Sequence, residues 1–222
     1  MCGRFTLSAD KKSLENAFPG AAILADIAPR YNIAPSQPVA VIRDIHTKAV
    51  EFLRWGLIPH WAKDEQIGHK MINARAETLA EKPSFREPFK RRRCLILADG
   101  FYEWHKDPHG RHTVPMYIRL KSGRPFAFAG LWDSWRSGDE ELRTCTIITT
   151  TSNELVASIH DRMPVILAPE NYWEWISADV KDLKSHEGLL VPYPSDEMEA
   201  FRVSARVNDP KVEGPECVER EG

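Results

Sequence analysis

The sequence has few features of a secreted, membrane-bound or metal-binding protein. Its 222 residues contain no apolar run near the roughly 20 residues of a membrane span, and we expect no signal peptide because residues 1–8 include an arginine and no apolar run. Position 2 is not glycine, which excludes N-myristoylation. The four cysteines form no C-x-x-C pair and no H-E-x-x-H motif occurs, so we expect no metal and no cofactor. We therefore expect reduced thiols, a cytoplasmic location and no membrane partner.

A strong charge imbalance and internal divisions are also missing. The net charge of −2 gives no overall indication of a nucleic-acid partner. No linker, low-complexity stretch or repeat divides the chain, so we predict one domain over residues 1–222, a monomer, with an acidic tail from about residue 209. One cationic run, Lys90-Arg91-Arg92-Arg93, follows Arg86. By itself, such a run favours a solvated face over a binding surface.

Alternating apolar segments separated by turn residues predict a fold built mainly from antiparallel strands. Residues 39–45 and 49–55 are predicted to form a hairpin. Turn residues such as Asp99-Gly100 and Asp107-Pro108-His109-Gly110 predict a longer meander. Its strand-like segments are residues 94–97, 101–105, 113–120, 125–131 and 142–149.

Helices are predicted to be few and short. The clearest covers residues 152–159, because Thr151 and Glu154 have the spacing of a capping box. Weaker candidates cover residues 14–18, 170–176 and 76–80. The predicted class is therefore α+β, with a mostly antiparallel, barrel-like sheet and a few short helices.

The residue with the most distinctive chemistry is Cys2, directly after Met1. Loss of the methionine would leave an α-amine and a thiol two carbons apart, so that an aldehyde caught as a Schiff base can be closed by sulfur into a thiazolidine ring. Ordinary pKa values of about 7.7–8.0 for the amine and about 8.5 for the thiol make both nucleophiles accessible near neutrality. Because a Met-Cys start alone favours a terminus without function, the prediction depends on partners elsewhere in the chain.

Two titratable residues suit proton exchange with such a terminus. Glu103 alternates with aromatic residues in a predicted strand, and burial in a pocket would raise the pKa of its carboxyl toward neutrality. An open position would leave Glu103 as a surface residue. His160 follows the predicted helix, where exposed carbonyls stabilise a cationic imidazole that can donate a proton. A capping histidine without a catalytic role fits the same position.

Other side chains suit the handling of a sugar, a phosphate or a base. Asn73 can orient an amine or an aldehyde oxygen, and Arg75 can clamp a phosphate, although a turn with a capping asparagine also explains them. Trp55 and Trp61 lie in or beside a loop broken by proline and glycine. A tryptophan beside cationic residues can stack on an exposed base, although core packing fits equally.

Taken together, these segments closely resemble the SRAP family (SOS response-associated peptidase). The resemblance is carried, in order along nearly the whole chain, by Cys2-Gly3-Arg4-Phe5, Arg30-Tyr31-Asn32-Ile33-Ala34-Pro35, Trp55-Gly56-Leu57-Ile58-Pro59 with Trp61, Asn73-Ala74-Arg75-Ala76-Glu77-Thr78, residues 91–104, His160-Asp161-Arg162-Met163-Pro164, Val203-Ser204 and Val207-Asn208. The stretch after Asn208 is the least family-like, and Leu97 stands where many relatives carry proline.

The resemblance implies a sensor of abasic sites in single-stranded DNA that becomes covalently attached to them through a thiazolidine. It implies Cys2 as the nucleophile, Asn73 as the residue that orients it, Glu103 as the proton carrier at the amine, and His160 as acid or base at the sugar. The DNA-binding residues it implies are Arg4, Trp61, Arg75, Arg86 and Arg162. A lyase side reaction is also implied, because a Schiff base acidifies the adjacent sugar proton.

Two alternatives remain open at this point. Cys2 could attack a carbonyl as a thiol peptidase, with His160 as base and Glu103 as orienter, which would also cover removal of Met1. A general aminopeptidase could remove Met1 instead. The second alternative is a non-covalent module for single-stranded DNA in which Cys2 is incidental.

Overall fold

Two packed β-sheets form the frame of the protein. The computed structural model describes residues 2–24, 27–106, 113–177 and 183–221. Its strands are β1 Arg4–Leu7, β2 Arg30–Ile33, β3 Pro38–Ile42, β4 Val50–Trp55, β5 Asn73–Arg75, β6 Arg93–Ala98, β7 Gly100–Lys106, β8 Thr113–Leu120, β9 Phe126–Ser137, β10 Glu140–Thr151, β11 Arg162–Pro164, β12 Ile166–Leu167 and β13 Met198–Arg202. Its α-helices are α1 Lys11–Ala17, α2 Pro83–Arg91, α3 Glu154–Ala157, α4 Tyr172–Ile176 and α5 Leu183–Gly188. Short 3-10 helices cover Glu65–Lys70, Ala76–Thr78, Pro169–Asn171, Ser195–Glu197, Ala205–Asn208 and Pro215–Cys217.

One sheet closes into a barrel. Its strands pair in the order β10, β4, β3, β6, β9 and back to β10. The pairing of β10 with β4 is parallel, and the other four pairings are antiparallel. The predicted hairpin of β3 and β4 is confirmed, with Val39 opposite Leu53. The predicted α+β class with a mostly antiparallel, barrel-like sheet is also confirmed.

The second sheet lies against the barrel. Its order is β13, β8, β7, β1, β2, and all its pairings are antiparallel. From this sheet, Phe5 contacts Trp55 and Phe128 of the barrel at ring distances of 5.2 and 5.7 Å, and Phe101 contacts Phe128 at 6.1 Å. These buried rings fix the start of β1 beside the barrel.

The predicted meander is wrong in one respect, because its strands are divided between the two sheets. After β6, the chain crosses into the second sheet through Asp99 and Gly100. The buried Asp99 carboxylate accepts hydrogen bonds from Ser8 N at 2.6 Å and Ala9 N at 2.8 Å, which ties this crossing to β1. A Cβ on Gly100 would lie 2.1 Å from the Tyr117 hydroxyl oxygen, so only glycine fits there. The predicted turn at residues 107–110 lies outside the described residues.

The main predicted helix is shorter than expected and has a different cap. Helix α3 covers four residues, and the Asn153 side chain rather than Thr151 accepts the capping hydrogen bond, from Val156 N at 2.9 Å. Asparagine is as good an N-cap as serine or threonine, and it lies one residue before the first helical turn. None of the described helices has the length and apolar character needed to cross a bilayer.

The cationic run does not form one surface. Lys90 and Arg91 end helix α2, which was not predicted, while Arg93 is buried at the start of β6. The Arg93 guanidinium donates to the carbonyls of Phe89, Lys90, Trp175 and Ser177. Arg93 therefore joins two helices to the barrel.

The C-terminal segment covers the outer face of the second sheet. Val207 and Cys217 pack there with Tyr102 and Tyr117 in a separate apolar cluster. Beyond residue 209, the Glu213 carboxylate accepts hydrogen bonds from the backbone N–H groups of residues 31 and 32 at 2.6 and 2.9 Å. These bonds satisfy donors at the edge of β2, which would otherwise be open to pairing with another strand.

Candidate active site

Cys2 lies two residues before β1 and is completely buried. The Asn73 side-chain amide donates a hydrogen bond of 2.8 Å to the Cys2 carbonyl oxygen, and the Cys2 sulfur lies 3.7 Å from the Arg4 carbonyl. Burial, together with the nearby Glu103 carboxylate, raises the pKa of the Cys2 thiol well above its ordinary value. The sulfur is therefore protonated at neutral pH and needs a base to become a nucleophile.

Asn73 is held in place by the barrel. It lies on β5, where it pairs in parallel with Ile147 of β10, rather than in the predicted turn. The buried Trp55 indole fixes the preceding residue by donating 2.9 Å to the Ile72 carbonyl. Within the described residues, the buried Asn73 Oδ1 has no hydrogen-bond partner. This acceptor lies beside Cys2 and suits an amine donor.

Glu103 lies close to Cys2 through the pairing of β1 with β7, in which Arg4 faces Tyr102. The side chain is almost fully buried, with 3% of its surface exposed. Burial raises the pKa of the Glu103 carboxyl to about 7, and the Asp161 carboxylate contributes in the same direction. The predicted shift toward neutrality agrees with this value. A carboxyl with such a pKa exchanges protons readily in both directions near neutral pH.

His160 lies just after α3, and Asp161 links it electrostatically to Glu103. Its Nδ1 accepts a hydrogen bond from Arg162 N at 3.0 Å and lies 2.9 Å from Asp161 Oδ1. Burial lowers the pKa of His160, so the cationic imidazole predicted from the helix end is wrong. A neutral imidazole donates from one ring nitrogen and accepts at the other, so His160 can exchange hydrogen bonds with a sugar hydroxyl.

Two arginines lie at the same end of β10. Arg75 is exposed at the end of β5, opposite Thr149. Arg162 donates to both oxygens of Glu77 at 2.6 and 2.9 Å and to the Thr149 carbonyl at 2.6 Å. Glu77 was not predicted as a site residue, although it lies in the same sequence motif as Arg75, residues 73–78. It neutralises Arg162 in this structure.

Arg4 has internal partners. Its guanidinium donates 2.6 Å to the Asn32 side-chain oxygen and 2.8 and 3.3 Å to the carbonyls of Val207 and Asn208. These bonds connect β1 to β2 and to the C-terminal segment. The Arg4 side chain therefore stabilises β1, next to Cys2, within the protein itself.

The remaining predicted binding residues lie in a separate depression. Trp61, with 49% of its surface exposed, lines it together with His60 and Arg86 of helix α2. Trp55, the other candidate for stacking, is completely buried in the core. It is the last residue of β4, so Trp55 belongs to the barrel rather than to a loop.

The fold and the site together define a class of protein: an α+β barrel with a candidate reaction centre built around a cysteine at position 2. Residues 1–210 match the family SOS response associated peptidase (SRAP), and the chain belongs to this family.

Similar proteins cover most of the chain. The abasic site processing protein YoqW of Bacillus subtilis is 51% identical over 224 residues, with 99% of both chains covered. The abasic site processing protein HMCES of Gallus gallus is 32% identical and covers 86% of this chain, which in turn covers 66% of that longer protein. A crystal structure from Bacteroides thetaiotaomicron superimposes with a TM-score of 0.87 at 29% identity, covering 99% of this chain and all of that one.

Proposed function

We propose that this protein processes abasic sites in DNA by capturing them covalently in single strands, through the amine and thiol of Cys2 once Met1 has been removed. The names of the relatives YoqW and HMCES support abasic-site processing. The observation that carries the chemistry is the enclosure of Cys2 by Asn73 and by a Glu103 whose pKa is about 7.

The reaction consumes an aldehyde and releases one water. The α-amine adds to the C1′ aldehyde of the ring-opened sugar, and the resulting carbinolamine loses hydroxide as water to give an imine. Glu103 takes a proton from the amine in the first step and returns one to the departing hydroxyl. The Asn73 oxygen orients the amine. Neutral His160 exchanges a hydrogen bond with a sugar hydroxyl.

Sulfur then closes the ring. The Cys2 thiol passes its proton to Glu103, the sulfur attacks C1′ of the imine, and the imine nitrogen takes up a proton, which gives the thiazolidine. Because the thiol pKa is raised, this base is needed for closure. Positioning of both nucleophiles at one carbon supplies effective molarities of up to about 10⁵–10⁸ M.

The buried position of the sulfur favours single-stranded DNA as the substrate. The sugar must leave the stack and enter the enclosed space beside Cys2, which has no exposed surface. Extrusion costs least in a single strand, where no partner strand holds the nucleotide. Exposed Arg75 supplies a phosphate contact, and Trp61 a stacking surface, without sequence readout.

A competing lyase reaction follows from the same imine. Loss of a C2′ proton from the imine allows the 3′-phosphate to leave by β-elimination, which cleaves the strand. Ring closure by sulfur competes with this step because it consumes the imine. Strand cleavage is therefore expected to increase when Cys2 keeps its amine but lacks its sulfur.

The decisive experiment uses Cys2→Ser as the matched control, because serine keeps the α-amine and a similar size. Intact-mass measurement first establishes loss of Met1 in both proteins. Each is then incubated with a strand containing one abasic site and analysed on a denaturing gel. We expect a stable adduct with the wild-type protein and, with the variant, an adduct only after borohydride reduction. Absence of the wild-type adduct, or an equally stable one with Cys2→Ser, would contradict the proposal.

A second control tests the role of the amine. Insertion of one glycine between Met1 and Cys2 keeps the thiol but moves the α-amine to another residue. We expect this insertion variant to form no stable adduct. Equal affinity of the wild-type protein for intact and abasic strands, without an adduct, would instead favour a non-covalent binding module.

A further inference from the structure

The side-chain hydroxyl of Thr149, on β10, lies close to the candidate site. The residue is completely buried, and within the described part of the chain its hydroxyl oxygen has no hydrogen-bond partner. Buried side-chain hydroxyls in folded proteins are nearly always hydrogen-bonded, to protein or to water. A hydroxyl enclosed in this way beside a reaction centre indicates a position where a bound molecule supplies the partner.

The register of the strands shows which way this hydroxyl faces. Asn73 pairs with Ile147, and Arg75 pairs with Thr149, two residues further along β10. Alternate residues of a strand share one face of the sheet, and paired residues on neighbouring strands share it too. Thr149 therefore faces the same side as Asn73, whose side chain reaches Cys2.

The surroundings of Thr149 suit a sugar rather than a phosphate. Arg162 donates to the main-chain carbonyl of Thr149, and exposed Arg75 lies opposite it. Phosphates are better matched by these charged groups at the rim, whereas a neutral buried hydroxyl matches another hydroxyl, since both can donate and accept.

We infer that Thr149 binds the C4′ hydroxyl of the ring-opened deoxyribose, and so selects this sugar among aldehydes. The inference rests on the proposed function. Ring opening breaks the bond between C1′ and the ring oxygen, which takes up the hydroxyl proton of C1′. It thereby creates the aldehyde and the C4′ hydroxyl together. A residue that holds the new hydroxyl keeps the sugar open and C1′ next to Cys2.

The same strand offers a matched control. Thr146 is also completely buried, and its hydroxyl likewise lacks a partner within the described residues. It lies three positions from Thr149 and therefore faces the other side of the sheet. Thr149→Val and Thr146→Val remove equivalent groups, while Thr149→Ser keeps the hydroxyl.

The test measures single-turnover adduct formation on two strands. One carries an abasic site, and the other carries an aldehyde on an acyclic linker without the neighbouring hydroxyl. We expect Thr149→Val to react about tenfold more slowly with the abasic strand, the size of one lost hydrogen bond. With the linker aldehyde, it should react at the wild-type rate. Thr149→Ser and Thr146→Val should resemble the wild-type protein on both strands.

Equal rates for Thr149→Val and wild type on the abasic strand, or equal slowing on both strands, would overturn the inference. If Thr149→Val does not fold, Thr149→Ala takes its place, with the same expected results on the two strands. An absent wild-type adduct contradicts the proposed function itself. A normal wild-type adduct without the Thr149 effect contradicts only this inference.

Discussion

The Asn73 side chain donates its amide hydrogen to the Cys2 carbonyl at 2.8 Å, which joins the barrel to the segment just before β1 of the second sheet. Removal of this donor would leave a buried carbonyl without its bond, at a cost of about 1–3 kcal/mol. We expect Asn73→Ala to slow adduct formation by about tenfold or more. Its affinity for an intact strand should stay unchanged.

The control for this prediction is Asn208→Ala, because Asn208 bonds the Trp104 indole on the outer side of the second sheet. Adduct rates and strand affinities of both variants would be measured side by side. An equal loss of rate in the two variants would show a general effect of lost packing rather than a role of Asn73 at Cys2.

Glu103 should make stability depend on pH. Burial raises its folded-state pKa to about 7 from an ordinary value of 4.5, so the unfolded chain loses this proton first as the pH rises. The contribution of Glu103 to the free energy of unfolding therefore falls between about pH 4.5 and pH 7. We expect the stability of Glu103→Gln relative to wild type to be greater at pH 8 than at pH 5. The free energies of unfolding of both proteins would be measured by urea denaturation at each pH.

The same titration should appear in the reaction. The rate of adduct formation should rise with pH through a midpoint near 7, and this step should be missing in Glu103→Gln. Identical pH profiles for the two proteins would exclude Glu103 as the proton carrier.

Arg75 should contribute to binding of every strand alike. Because a phosphate contact carries no sequence information, we expect Arg75→Glu to lower the affinity for intact and abasic strands equally. The slope of log K against log salt is negative, and its magnitude should decrease by about 0.7 for each lost contact. Arg136→Glu, at the β9–β10 hairpin, changes net charge equally and serves as the control. Equal slopes for the two variants would place Arg75 outside the binding surface.

Glu77 should restrain DNA binding by Arg162. The carboxylate holds the guanidinium in a two-bond pair, so a phosphate must compete with it. We expect Glu77→Gln to bind single-stranded DNA several-fold more tightly at low salt, with a steeper salt dependence, in a fluorescence anisotropy titration. Glu81→Gln is the control for the change in net charge. Weaker binding by Glu77→Gln would show that the pair holds Arg162 in its binding position.

Arg93 should matter for stability rather than for binding. Replacement by alanine removes the donor for several buried carbonyls, which should lower the free energy of unfolding by about 2–4 kcal/mol. Arg91→Ala, on the exposed end of α2, should change it by less than about 0.5 kcal/mol. Chemical denaturation of both variants would check this, and similar small effects would contradict the structural role of Arg93.

The sequence by itself determined the local elements and the chemistry of single residues. The β3–β4 hairpin follows from apolar alternation on both sides of a short turn, and the potential of Cys2 to become an aminothiol on loss of Met1 follows from its position. The raised pKa of Glu103 was expected on condition that a pocket encloses it, because burial disfavours the charged carboxylate. Local patterns are enough for such statements.

Only the tertiary structure decided which of these elements meet. The division of the meander depends on Asp99 bonds to residues 8 and 9, about ninety positions away in sequence. At His160, burial lowers the pKa although the end of a helix favours the cationic ring. The burial of Arg93 between the barrel and two helices breaks up a cationic run that looked like one surface. Burial, pairing partners and pKa values depend on distant parts of the chain, which no local pattern encodes.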